Sequence, residues 1–154
     1  MAVFFKAADV VAAAVEMEKR GQVFYRDKAR KVADPAVKAF FESLAAEEMR
    51  HEQLFTAMVA RVGQAELPAW STQEEFSTYL KALLDSHALF TPAPASVGEG
   101  LEEAVRAAME LEKDSMLFFQ EMLALVPAGE QERVRDCIEE ERRHLRQLAA
   151  MLKG

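Results

Sequence analysis

Cysteine is almost missing from this chain. Cys137 is the one cysteine in 154 residues, which excludes an intrachain disulfide and any Cys-x-x-Cys metal knuckle. Its position reads as that of a small buried apolar residue. Glycine and proline are scarce, at 6 and 5, so the stretches between breakers are long. No apolar run approaches the roughly 18 residues of a membrane span. The opening Met-Ala-Val-Phe-Phe-Lys is too short an apolar stretch for a signal peptide. Positive charge is in deficit as well: 19 Lys and Arg against 26 Asp and Glu give a net charge of −7, where a nucleic-acid binder normally shows a basic face. The expectation is no nucleic-acid partner, no membrane, and a reducing, cytoplasmic setting.

What remains is abundant in Ala, Glu, Leu, Lys and Arg, which favours helices. The length suits one domain over 1–154 with a sizeable core. A first helix is expected from Ala7 or Asp9 to Val32, with the stripe Val11, Val15, Glu18, Gln22, Tyr25, Ala29, Val32. Asp34-Pro35 reads as an N-cap followed by proline at the first helical position. The second helix then runs to Arg61 or Val62, and Gly63 is a natural stop. Residues 63–98 form a crossover containing a short helix over about 71–87. It opens on the capping-box pattern Ser71-Thr72-Gln73-Glu74, and Thr91 to Gly98 reads as loop. A third helix starts between Glu99 and Leu101, with the stripe Leu101, Val105, Ala108, Glu112, Ser115, Phe119, Met122, Val126. Pro127 and Gly129 mark a tight turn. The last helix covers about Glu130 to Met151, with the stripe Val134, Ile138, Glu141, His144, Leu148, Leu152. Two short turns and one long connection predict an all-α four-helix bundle, made of two antiparallel hairpins joined by a long crossover.

The second helix carries an anomaly. Its apolar stripe, Val37, Phe41, Leu44, then Phe55, Met58, Val62, is interrupted by Glu48 and His51. Burying an unpaired charge costs several kcal/mol, so the pair demands a reason. An internal repeat supplies a partner: Glu48-Met49-Arg50-His51 parallels Glu141-Arg142-Arg143-His144, and Val15 to Lys19 parallels Met109 to Lys113. Glu18 and Glu112 correspond at an offset of 94, and Glu48 and Glu141 at 93. In an antiparallel hairpin, residues equidistant from the bend face one another. The midpoint between Glu18 and the Glu48/His51 pair falls at about residue 34, where the turn chemistry lies, and that between Glu112 and the Glu141/His144 pair at about 127. All six lie about 22 Å from their turns at 1.5 Å per residue, and so share one layer of the bundle.

Four carboxylates cannot stay charged together in a core. Either some take up protons, or divalent cations neutralise them. Two such ions balance four carboxylates, and neutral imidazoles add nitrogen donors. Mixed oxygen and nitrogen donors suit iron or manganese, with zinc an alternative. A Glu from each of two helices and Glu-x-x-His from the other two is the general description of ferritin-like di-iron and di-manganese bundles. Bland readings stand beside this one. Glu16, Glu47, Glu110 and Glu140 lie off the stripe and read as solvated. His87, outside the repeat, reads as a surface or crossover residue. Gly21 either leaves space beside the metals or lets helices approach closely.

The run Glu18-Lys19-Arg20-Gly21-Gln22-Val23-Phe24-Tyr25, followed by Leu44-Ala45-Ala46-Glu47-Glu48-Met49-Arg50-His51, resembles the di-iron domain of rubrerythrins within the ferritin-like superfamily. The segment from Tyr79 to Phe90 is also similar to that family. The resemblance implies that Glu48 and Glu141 bridge two iron ions, that Glu18 and Glu112 are terminal carboxylates, that His51 and His144 each bind one metal, and that Tyr25 hydrogen-bonds a ligand. It implies an oxidoreductase of peroxidase or ferroxidase type acting on hydrogen peroxide or O2 in oxidative-stress defence, and homodimers are common in the family. Two departures stand out. There are no four cysteines for a rubredoxin domain, so electrons would come from an external, rubredoxin-like donor. The extra ligand Glu one turn from the terminal Glu of the third helix is missing, since Met109 and Ser115 flank Glu112 there. Iron binding or storage without turnover remains an alternative, and a structural bundle with a proton-sharing layer is a third.

Overall fold

The computed structural model describes residues 6–63, 73–91 and 100–153, with the side chains of Gln73, Glu74 and Phe76 excepted. The described residues are helical, with five α-helices: α1 Ala7–Lys31, α2 Pro35–Val62, α3 Gln73–Ser86, α4 Leu101–Leu123 and α5 Ala128–Lys153. A 3-10 turn, Ala88–Phe90, follows α3. α1 packs chiefly on α2 and α4 on α5, and the two hairpins meet through α1 with α4 and α2 with α5. The four long helices form the bundle, with α3 in the crossover. None of the described helices is long and apolar enough to cross a membrane.

Local chemistry sets the ends. Asp34 caps α2 by accepting from the N–H groups of Ala36 at 2.8 Å and Val37 at 3.3 Å, with Pro35 inside the first turn. Gly63 terminates α2 at φ 53°, a left-handed conformation that glycine adopts without steric cost. Some expected bounds shift. α5 begins at Ala128, because Pro127 offers its carbonyl to the Glu130 N–H at 2.8 Å. Gly129 therefore lies inside the first turn of the helix and not in the bend. Val126 is buried, but it lies beyond the end of α4 at Leu123. Leu101 starts α4 exposed, off the core. The capping-box residues Ser71 and Thr72 and the 92–99 loop lie outside the described residues.

The apolar interior is in two parts. One cluster, toward the crossover end, joins Val10, Val11, Ala14 and Met17 to Phe55, Met58, Phe118, Phe119, Val134 and Ile138. The other, toward the α1–α2 bend, joins Tyr25, Phe41, Leu44, Ala108, Leu111 and Leu148. Between them runs the polar layer. Apolar packing on both sides fixes the four helices and closes that layer to bulk water.

Candidate metal centre

Each long helix delivers its part of the layer from one face. α1 brings Glu18, α2 Glu48 and His51, α4 Glu112, and α5 Glu141 and His144, and none of the six is more than 5% exposed. They converge as two clusters, Glu18/Glu48/His51/Glu141 and Glu48/Glu112/Glu141/His144. Within each, one donor atom per residue lies within 4.8 Å of the others. Glu48 and Glu141 belong to both.

The inward atoms meet one another and little else. His51 Nδ1 lies 3.1 Å from Glu141 Oε1 and 3.7 Å from Glu18 Oε2. His144 Nδ1 lies 3.6 Å from both Glu112 Oε1 and Glu141 Oε2. Among the described residues, the buried side-chain atoms without a hydrogen-bond partner are both oxygens of Glu18 and Glu141, Glu112 Oε2, and the Nδ1 atoms of His51 and His144. Buried polar groups are almost always satisfied. Here every exception belongs to this one layer, and a pair of cations would satisfy them all.

Protons carry the balance otherwise. Burial, and then the charges of Glu18 and Glu141, push the Glu48 carboxyl well above the usual range. Burial pushes His51 down, but Cys137 and the carboxylates of Glu140, Glu141 and Glu18 outweigh it and raise the imidazole. His144 is raised in the same way, chiefly by Glu141 against its own burial. Burial raises Glu141, and the two imidazoles more than reverse this, leaving it below its ordinary value.

The outer faces of both imidazoles are held from the opposite hairpin. Glu140 on α5 accepts from His51 Nε2 at 2.6 Å and also pairs with Arg50. Glu47 on α2 pairs with His144 Nε2, and takes Arg143 on both oxygens at 2.8 and 2.9 Å. This corrects the expectation that Glu47 and Glu140 are merely solvated. They are half-exposed clamps that turn each Nδ1 inward. The signal was present in the repeat, since Glu-Glu-x-Arg-His occurs in both halves, but its reading needed the pairing of α2 with α5. Glu16 and Glu110 do lie outside, paired with Arg20 and Lys113.

Tyr25 is fully buried and donates its hydroxyl to Glu112 Oε1. Its counterpart in the repeat, Phe119, packs instead against Phe55 with ring centroids 5.2 Å apart. Gly21 faces Glu48: a Cβ there would lie 3.0 Å from Glu48 Oε2. His87 lies in the crossover, one of its two expected places, but not at the surface. It is 1% exposed and lies 2.9 Å from Ser115 Oγ through Nε2.

The rubrerythrin family model matches residues 9–152 of the chain. No curated protein matches it. Among solved structures, a Thermotoga maritima protein described as a ferritin-like diiron-carboxylate protein has a similar fold, with a TM-score of 0.70. It is 24% identical, and the match covers 99% of this chain and 97% of that one.

Proposed function

The chain belongs to the rubrerythrin family, and on that premise we propose that it is a dinuclear non-haem iron protein, an oxidoreductase acting on hydrogen peroxide or O2. The observation that carries this reading is the sharing of Glu48 and Glu141 between two four-donor clusters whose inward atoms lack protein partners. Glu48 and Glu141 would be shared between the two ions, with Glu18 and His51 completing one set of donors and Glu112 and His144 the other. The donor chemistry fits: four carboxylates balance two divalent ions, and oxygen with imidazole nitrogen suits iron, manganese or zinc. Iron, when bound, supplies the redox couple for reducing peroxide or O2.

The chain's own residues do the rest. Glu140 and Glu47 orient the imidazoles with Nδ1 inward. Tyr25 holds Glu112 in place. The two apolar clusters keep bulk water from the layer. We assign electron supply to a rubredoxin-like donor. The description of the Thermotoga protein as a diiron-carboxylate protein supports the same reading.

Metal analysis by mass spectrometry, on protein purified without chelator, tests it. Two iron ions per chain are expected, lost in Glu48→Ala and Glu141→Ala, together with an absorption change when peroxide or O2 is added to the reduced protein. Iron bound and oxidised without turnover, when a donor is supplied, would favour a binding or storage role. Protein that takes up no metal would overturn the dinuclear reading.

A further inference from the structure

His87 and Ser115 form a polar contact that the six layer residues do not account for. The 94-residue offset that relates Glu18 to Glu112 also relates Gly21 to Ser115. A Cβ on Gly21 would lie 3.0 Å from an oxygen of Glu48, so this spot on its helix abuts a carboxylate common to both clusters. Ser115 holds the equivalent spot in the other half, one turn beyond Glu112, where Glu141 is the counterpart of Glu48. α1 has no side chain at that spot, whereas α4 presents a buried hydroxyl.

The partner of that hydroxyl is clamped. His87 Nδ1 accepts from the Leu89 N–H at 3.1 Å, so the neutral ring carries its hydrogen on Nε2. Nε2 lies 2.9 Å from Ser115 Oγ, so the imidazole donates and the serine oxygen accepts. Asp114 on α4 accepts from the Ala88 N–H at 2.9 Å. Arg20 on α1 donates to the Leu89 carbonyl at 3.3 Å and lies 4.0 Å from the centre of the Phe90 ring. With Nδ1 occupied by a backbone N–H, the ring cannot relay solvent protons and presents one fixed donor. Burial keeps it neutral, with its pKa lowered to about 4 even though the negative charge of Glu141 acts in the opposite sense.

A serine that accepts from an imidazole has its own O–H left to donate. Ser43 and Ser86 spend theirs on carbonyls of the preceding turn, at 2.6 and 2.8 Å. Among the described hydrogen bonds, Ser115 makes no such bond to its own helix. We propose that His87 positions the Ser115 hydroxyl as a hydrogen-bond donor into the metal layer beside Glu141, where it holds a small anionic ligand of the metals, of the hydroperoxide or azide class. This rests on the dinuclear reading above.

Azide is the probe. It is titrated into the iron-loaded, oxidised full chain and followed by its charge-transfer absorption, with iron content measured for each protein. Ser115→Ala and His87→Phe should weaken azide binding roughly ten- to a hundredfold, the worth of one hydrogen bond to a charged group. Ser115→Thr keeps a hydroxyl and His87→Gln keeps an N–H near the Nε2 position, so both should bind within about twofold of wild type. Ser115→Ala carries the expected loss if the phenylalanine variant loses its iron. In zinc-loaded protein, nitrogen NMR should find the His87 hydrogen on Nε2. An azide Kd unchanged in Ser115→Ala, or raised equally in Ser115→Ala and Ser115→Thr, overturns the inference while wild type still holds two iron ions. A ring protonated on Nδ1 overturns it as well. Wild type that binds no metal overturns the dinuclear reading, and this inference with it.

Discussion

Glu140 holds His51 from outside the metal layer, accepting at 2.6 Å from Nε2 while Nδ1 of the same ring points at Glu18 and Glu141. The contact joins α5 to α2, and Glu47 repeats it from α2 to His144 on α5. Hydrogen bonding to His51 holds the Glu140 carboxyl at about 2, so the clamp stays charged across the working pH range. Such outer partners fix ring orientation and raise ligand basicity. Glu140→Gln and Glu47→Gln should each lower zinc or iron affinity about 10- to 100-fold, as measured by competition with a chromophoric chelator. Metal-free stability should change much less, because both carboxylates are partly exposed. Affinities equal to wild type would remove the clamps from the metal site.

The layer itself was legible because its residues break a rule locally. Glu48 and His51 occupy stripe positions that periodicity reserves for apolar residues, and the repeat and the bend at Asp34-Pro35 then brought in Glu18, Glu112, Glu141 and His144. The all-helical bundle followed from the same stripes. The clamps were not legible, because midpoints relate only helices within one hairpin, and Glu47 and Glu140 act between hairpins. His87 was hidden for a related reason. Its burial depends on how the crossover docks on α4 and α1, through Asp114 and Arg20, and no periodic pattern encodes that. Gly21 was balanced between two readings. The geometry meets neither as stated: the group against Gly21 is the Glu48 side chain, with its carboxylate 3.0 Å from where a Cβ would lie, and not a helix backbone.

Gly21→Ala sets two effects against each other. Alanine favours the helix by about 1 kcal/mol. Its methyl would lie 3.0 Å from Glu48 Oε2 and 3.2 Å from its carboxyl carbon, so that side chain must shift by a few tenths of an ångström. The metal-free variant should therefore melt close to wild type, within about 1 kcal/mol. The gain in melting temperature on adding zinc should shrink, because one shared carboxylate is displaced. Thermal melts with and without zinc measure both effects. An undiminished zinc shift would mean that Glu48 relaxes freely or does not bridge.

Metal uptake should release protons. Glu48 is raised first by burial, and then by Glu18 and Glu141. His51 and His144 are lowered by burial but raised overall by the carboxylates around them. In the metal-free protein all three therefore hold their protons to higher pH than they would in water, and a cation must displace them. Each sits above its ordinary value, so affinity should fall as pH falls, and protons should leave as the chain is loaded. Calorimetric titration with zinc in buffers of different ionisation enthalpy counts them. A binding enthalpy independent of buffer would contradict this protonation scheme.

His87 should make the metal-free fold acid-sensitive in a defined window. Its folded pKa of about 4 lies below the ordinary 6.5, because burial disfavours the charged ring. The unfolded chain therefore takes up the proton first. The contribution of His87 to stability is complete above about 6.5, erodes as pH falls, and levels off below about 4. At about 1.4 kcal/mol per unit, the full window is worth on the order of 3 kcal/mol. His87→Gln has no titrating group and should lose less stability than wild type between pH 7 and pH 4.5, by about 2 kcal/mol. Groups that titrate alike in both proteins cancel in the difference. Urea unfolding of the two metal-free proteins across this range gives the result. Parallel curves would place His87 in contact with water, and would remove the basis for a neutral, Nε2-protonated ring donating to Ser115.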